Sequence, residues 1–310
     1  MNYKVVFVNW TKPYFYKKDA EGYNFDKLAI LDSKEYGMVD YELLIQKAAI
    51  HNARKFLKAP IKLYTDDTGY DFYLKHDMIS LFDEIDTDTL NEYNNNTNNA
   101  GKWWTSGKSV AIGKEEQPFL FLDNDFIVQS ELPEWIFNYD LVHTQWEIQR
   151  GHFYASKKML DDYGVPISNF NEFMMMPNTS FVFMNNKKLQ KLYYENHLKI
   201  VLKDYKHIPE WLWLLSDQGI LGYCSRELDL KVASLEDKAY LSYAEHPNLK
   251  SKSGYSPMYL STDSIMSHGG FKYWHIWMDK RRMKNDAKFR INIVNKLKKI
   301  LDIETNQDLI

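Results

Sequence analysis

Two carboxylates stand one residue apart at the end of an apolar run in PFLFLDNDFIV, residues 118–128. Side chains at i and i+2 of an extended strand project to the same side; in a turn both can still reach one cation, directly or through water. Hard oxygen ligands suit Mg²⁺ or Mn²⁺, which hold a diphosphate by bridging its oxygens. Asp123 and Asp125 are therefore candidate metal ligands, with Asn124 between them as a further polar contact. Asp-rich turns also serve as solvated caps, so the pair takes its meaning from its surroundings. Those are a four-residue greasy run, Phe119 to Leu122, and before it a helix-like stretch carrying Lys108.

Other chemistries lack their residues. The chain has no G-x-S-x-G and no Cys/His zinc spacing. Gly107, Lys108 and Ser109 match the end of a phosphate-binding loop, but Lys102 stands where the loop needs its first glycine.

The elements that must hold the pair can be read from periodicity. YKVVFVNW, residues 3–10, is a continuous apolar run of the kind buried parallel strands show. Residues 39–57 carry apolar side chains at 43, 44, 48, 50, 53 and 57, which predicts an amphipathic helix. IKLYTDD reads as a second strand, MISLFDEID as a third, and WWTSGKSVAIG as the helix that delivers the chain into PFLFLD. A short strand is expected at DLVHTQW, and another at NTSFVFMNN with a helix after it. PEWLWLLSDQGILGYC predicts one more helix, with Pro209 near its first turn. Alternating strands and helices imply an α/β sheet covered on both faces. Ligands in such folds sit at the carboxyl ends of the strands, where Asn9, Asp66 and Asp123–Asp125 fall.

Composition bounds the rest. At 310 residues, 45% apolar and 26% charged, the chain can build a substantial core. A net charge of −3 gives no general attraction to nucleic acid or membrane. The aromatic share of 15% serves core packing or pockets for ring-shaped ligands. A single cysteine, Cys224, rules out an internal disulfide, and the opening MNYKVVFVNW lacks a long apolar leader, so a cytoplasmic location is expected. No apolar stretch approaches 18 residues. Lys272 to Lys299 hold ten Lys/Arg against two Asp, a basic helix at 276–310 that either presents solvated charge or meets an anionic surface such as lipid headgroups or nucleic-acid phosphates. One domain is expected over residues 1–310, in two halves, 1–145 and 146–275, ahead of the basic segment 276–310.

WWTSGKSVAIGKEEQPFLFLDNDFIV resembles the D-x-D region of nucleotide-sugar glycosyltransferases with the GT-A fold, in particular the glycogenin and galactosyltransferase-like group. The resemblance implies a Rossmann-like mixed central sheet, an elaborated C-terminal half, Mn²⁺ or Mg²⁺, and a nucleotide-sugar donor, with UDP as the expected nucleotide. It makes Asp123 and Asp125 metal ligands and Lys108 a donor contact. SDQGIL, residues 216–221, is similar to that group's D-Q segment and places Asp217 near the reacting sugar. SHGGFKYW, residues 267–274, resembles the late His-Gly-Lys-Trp motif, making His268 the third ligand and Lys272 a diphosphate contact, with His275 as the alternative ligand. The family spaces its lysine six after the histidine and follows it with proline; here the spacing is four and proline is absent. Asn9 and Trp10 stand where such folds hold the base, and Asn178 and Thr179 where the acceptor cleft lies. The expected activity is metal-dependent sugar transfer, on the retaining side, to a glycan, lipid-linked saccharide, protein or nucleic acid. The competing readings are a non-catalytic sugar-nucleotide or glycan-binding protein on this fold and a nucleotidyltransferase.

Overall fold

The computed structural model describes residues 2–19, 34–97, 100–116, 118–147, 156–167, 176–235, 266–268 and 271–303. In chain order its first half runs β1 (Lys4–Asn9), α1 (Lys12–Asp19), α2 (Asp40–Leu57), β2 (Ile61–Thr65), α3 (Asp67–Lys75), β3 (Glu84–Asp86), α4 (Asp88–Asn96), α5 (Ser106–Lys114), β4 (Phe119–Leu122), β5 (Phe126–Val128), β6 (Leu141–His143) and β7 (Trp146–Glu147). The second half runs α6 (Lys157–Asp162), β8 (Met176–Pro177), β9 (Phe181–Met184), α7 (Lys187–Val201), α8 (Glu210–Leu214), α9 (Ile220–Glu227), β10 (Val232–Ser234), β11 (Met266–His268), β12 (Phe271–His275), α10 (Trp277–Asn285) and α11 (Ala287–Ile300).

Seven strands form the central sheet in the order β10-β6-β9-β4-β1-β2-β3. Neighbours are parallel except β9, which runs antiparallel to both β4 and β6. The expected mixed α/β sheet with helices on both faces is present. Period-two alternation splits β1 between two cores: Val5 and Phe7 pack with α2, α3 and α11, while Val6 packs with α4, α5, α7 and α9. All four residues of β4 are buried, which is why it reads as an unbroken apolar run. Asn9, Asp66 and Asp123 all follow or end parallel strands at one edge of the sheet, as expected.

A second, antiparallel sheet of order β11-β12-β5 stands beside that edge. Its register sets His275 opposite Phe126 and Tyr273 opposite Val128. The C-terminal segment is thereby tied to the strand that follows the two aspartates.

Three expectations change. MISLFDEID is strand only at Glu84–Asp86; Ile79–Leu81 form a 3₁₀ turn that lays Leu81 and Phe82 against the core. The helix expected across PEWLWLLSDQGILGYC forms, but it widens between α8 and α9 into a π-helical turn, Leu215–Gly219. The basic tail is two helices rather than one, because Asp286 is extended and accepts the backbone N–H of Phe289, starting α11 anew. In α11, Phe289, Ile293 and Leu297 recur every four residues and bury one stripe against α2, leaving the basic residues on its outer faces. No helix among the described residues is long and apolar enough to cross a membrane.

Candidate active site

The chain leaves β4 at Leu122, turns through Asp123–Asn124–Asp125 and re-enters a strand at Phe126. Backbone hydrogen bonds hold this turn from three directions. Asp123 N–H donates to Ser180 O at 2.8 Å, Phe126 N–H to Asp123 O at 2.9 Å, and Ile276 N–H to Asp125 O at 3.1 Å. Asn124 Nδ2 donates to Val8 O at 2.7 Å and ties the turn to β1. The aspartates therefore project from a fixed backbone rather than a solvated loop.

Ligand atoms of Asp123, Asp125 and His275 lie within 4.8 Å of one another. Two carboxylates and an imidazole form a donor set suited to Mn²⁺ or Mg²⁺. His275 Nε2 is 3.6 Å from Asp125 Oδ1, and its Nδ1 is buried with no hydrogen-bond partner. With Nε2 the ring nitrogen beside Asp125, two carboxylates and an imidazole converge, and the chemistry of this donor set fits a divalent cation.

Two ammonium groups flank the acids. Lys280, from the first half of α10, places Nζ 2.8 Å from Asp125 Oδ2. Lys108, from α5, places Nζ 3.1 Å from Asp123 Oδ1, 3.0 Å from Thr179 Oγ1 and 3.5 Å from Asp217 Oδ2. Burial by itself would push the Asp125 carboxyl up, but Lys280 and His275 outweigh it and hold the group well below the usual carboxylate range. For Asp123 burial wins: its carboxyl is raised, with Asp125 adding repulsion and Lys108 offsetting only part. Burial disfavours the Lys280 ammonium too, yet Asp125 and Glu42 raise it to about 12. Lys108 is likewise held above its ordinary value, by Asp123 and Asp217.

Asp217 is 1% exposed and sits in the π-helical turn, where the widened backbone aims it inward. Thr179 Oγ1 donates to its Oδ2 at 2.9 Å, and Tyr193 OH lies 3.2 Å from its Oδ1 and 2.7 Å from Ser109 Oγ. A continuous polar chain thus runs from Ser109 through Tyr193, Asp217 and Lys108 to Asp123.

Of the residues expected at the site, the structure brings together Asp123, Asp125, Lys108, Asp217 and Thr179, with His275 as a third group that could ligate a metal. The side chain of His268 lies outside the described residues. Lys272 is not brought to the cluster: it is exposed, its N–H donates to Ser130 Oγ at 2.8 Å, and strand alternation sets it on the opposite face from His275. Asp66 is buried, accepts from Thr11 N–H and Oγ1, and caps α3 through Gly69 N–H at 3.0 Å. Asn9 accepts from Tyr36 OH at 2.7 Å while its Nδ2 is buried without a partner. Trp10 donates Nε1–H to Asn94 Oδ1 at 2.8 Å and lies against Tyr93 and Gly107. Asn178 is buried and accepts from Ser180 N–H and Oγ. Sequence reasoning missed Lys280 and Tyr193, which no motif marks, and met Ser109 only in a rejected phosphate-loop match; Lys280 reaches Asp125 through the β5–β12 pairing.

A family model described as "Family of unknown function (DUF6734)" matches residues 30–170. That span includes Asp123 and Asp125 and ends before Asp217, His275 and Lys280. No curated protein matches the chain. Among solved structures it is similar to PaToxG Glycosyltransferase, at 10% identity over 81% of this chain and 76% of that one, with a TM-score of 0.40. It is also similar to the glycosyltransferase GlyE of Streptococcus pneumoniae TIGR4, at 14% identity, 96% of this chain and TM-score 0.41; the match spans 64% of that chain. Mouse xyloside xylosyltransferase 1 matches at 12% identity over 89% of this chain and 97% of its own, with a TM-score of 0.37. Likeness at this level assigns no activity.

Proposed function

We propose that the protein is a divalent-cation-dependent glycosyltransferase of GT-A type that uses a nucleoside-diphosphate sugar, with UDP-sugars the first candidates. The observation that carries this reading is the Asp123–Asp125–His275 cluster at the carboxyl edge of β4, bracketed by the ammonium groups of Lys108 and Lys280. The D-x-D resemblance supports it independently of the cluster's geometry.

Sugar transfer breaks the bond between the anomeric carbon and the diphosphate, and the electron pair leaves with the diphosphate. Asp123, Asp125 and His275 would hold the cation, which when bound supplies positive charge to the diphosphate oxygens. Lys108 and Lys280 deliver two further positive charges to the same place, in a buried setting where each counts for more than in water. In this reading Asp217, 3.5 Å from Lys108 Nζ, would stabilise positive charge at the anomeric carbon, and retention of configuration is the expected outcome. Thr179 and Tyr193 hold its carboxylate in one orientation. Asn9, with an unpartnered Nδ2, and Trp10 offer a hydrogen bond and a ring to the base.

The test is to incubate UDP-, GDP- and CDP-sugars with Mn²⁺ and to measure released nucleoside diphosphate, with EDTA and Asp125→Asn as controls. Release that EDTA abolishes and Asp125→Asn lowers by about 100-fold or more is the expected result, in line with the loss of a group that stabilises transition-state charge. Sugar 1-phosphate as the product, with the nucleoside monophosphate group transferred, would point to nucleotidyl transfer instead. Failure of every sugar nucleotide to bind or react would remove the reading.

A further inference from the structure

The two lysines stand where a cation's charge would be needed, and any part they take in ligand exchange rests on the metal-site reading. Lys280 Nζ is 2.8 Å from Asp125 Oδ2 and Lys108 Nζ is 3.1 Å from Asp123 Oδ1. The Asp125 and Lys108 side chains are 9% and 15% exposed, and those of Asp123 and Lys280 31% and 27%. Within these two pairs the charges sum to zero, with the Asp217 carboxylate beyond Lys108, and partly buried charges are tolerated when they are paired in this way.

A divalent ion entering alone would unbalance that set by two charges and compete with two ammonium groups for the same oxygens. A diphosphate entering alone would meet lysines already engaged and two carboxylates that repel it. Entering together, the pair brings compensating charge: the cation takes the carboxylates, and the released ammonium groups take the diphosphate. Lysine suits such a transfer, being a point charge on a flexible four-carbon stem. Lys108 can leave Asp123 without being stranded, because Thr179 Oγ1 at 3.0 Å and Asp217 Oδ2 at 3.5 Å remain beside it.

We propose that Lys108 and Lys280 are exchangeable counter-ions of Asp123 and Asp125, so that divalent cation and diphosphate each bind weakly alone and tightly as a pair. The coupling is a property of two distinct ligands and must be reciprocal.

The probes are Mn²⁺ and inorganic pyrophosphate, which carries the diphosphate chemistry without committing to a base. Free-Mn²⁺ electron paramagnetic resonance gives the affinity for the ion alone. Equilibrium dialysis of labelled pyrophosphate, with and without millimolar Mn²⁺, gives the other half of the cycle. For the unaltered full chain, Mn²⁺ is expected to tighten pyrophosphate binding by tenfold or more, within the usual range of coupling between sites. Lys280→Met is expected to bind Mn²⁺ alone about tenfold more tightly and the Mn²⁺–pyrophosphate pair about tenfold more weakly, since one change both frees a carboxylate and removes a phosphate contact. Lys108→Met, on a different element, repeats the measurement should Lys280→Met unfold; thermal melts certify either variant. Shifts of opposite sign are the signature, because damage to the fold would weaken both. A lysine variant that binds Mn²⁺ alone no more tightly than the unaltered chain overturns the exchange and leaves the metal-site reading standing. No Mn²⁺ binding by the unaltered chain or either variant, with pyrophosphate or without, overturns both.

Discussion

His143 and His197 are fully buried, each with Nδ1 bonded to a backbone carbonyl and Nε2 without a partner. Burial disfavours the imidazolium and pulls their pKa values down to about 3 and about 4. The unfolded chain protonates both near 6.5, so below that pH it binds protons that the folded chain does not. Stability is therefore complete above about pH 6.5, falls as pH drops, and stops falling through these groups near about pH 3 to 4. At about pH 5 each histidine is expected to cost about 2 kcal/mol relative to about pH 7. Urea denaturation at both pH values checks this: His197→Gln should lose about 2 kcal/mol less between them than the unaltered chain. Equal losses would show that His197 does not stay neutral. The same scale shows which site residues a sequence can reveal. Asp123 and Asp125 were legible because their spacing follows an apolar run. His275 was legible only as an alternative to His268, since nothing in the motif's altered spacing favours one histidine over the other. Lys280 was silent, being one lysine in a basic stretch, far along the chain from the aspartate it pairs with.

Helices and strands whose burial follows their own periodicity were recognisable: α2, β4 and α7 lie where the patterns placed them. The π-helical turn at Leu215–Gly219 was not, because apolar residues surround Asp217 as they would in a regular helix and one extra residue per turn leaves no compositional mark. That turn is what brings Asp217 to Thr179, Tyr193 and Lys108. Deleting Gln218 should let the wide turn close into α-helix while α8 and α9 keep their relative phase. The expected result is a melting temperature within a few degrees of the parent, with donor turnover down about 100-fold as Asp217 loses its orientation. Circular dichroism and the nucleoside-diphosphate release assay separate the two effects. Retained turnover would mean that Asp217 has no part in the chemistry.

At the scale of the molecule, the site belongs to two distant stretches of chain. Asp123 and Asp125 come from the edge of the central sheet, His275 and Lys280 from the C-terminal segment, and the two meet because β12 pairs with β5 and α11 buries Phe289, Ile293 and Leu297 against α2. Each of these three side chains contributes about 1.5–3 kcal/mol of burial, so the segment is held by its own apolar stripe before any ligand arrives. A cation with a diphosphate would add a second tie, since the ligands and lysines that hold it come from both stretches. Binding to the closed arrangement alone stabilises it by mass action, and the gain appears wherever local opening must break the new contacts. Amide hydrogen exchange with Mn²⁺ and pyrophosphate present should therefore slow across residues 271–285 as well as 119–128, by about tenfold or more at ligand concentrations well above the dissociation constant. Residues 187–201 in α7, which supply no member of the metal cluster, should change less. Protection confined to 119–128 would mean that His275 and Lys280 do not take part in holding the ligands, and that the C-terminal segment only covers the site that the aspartates form.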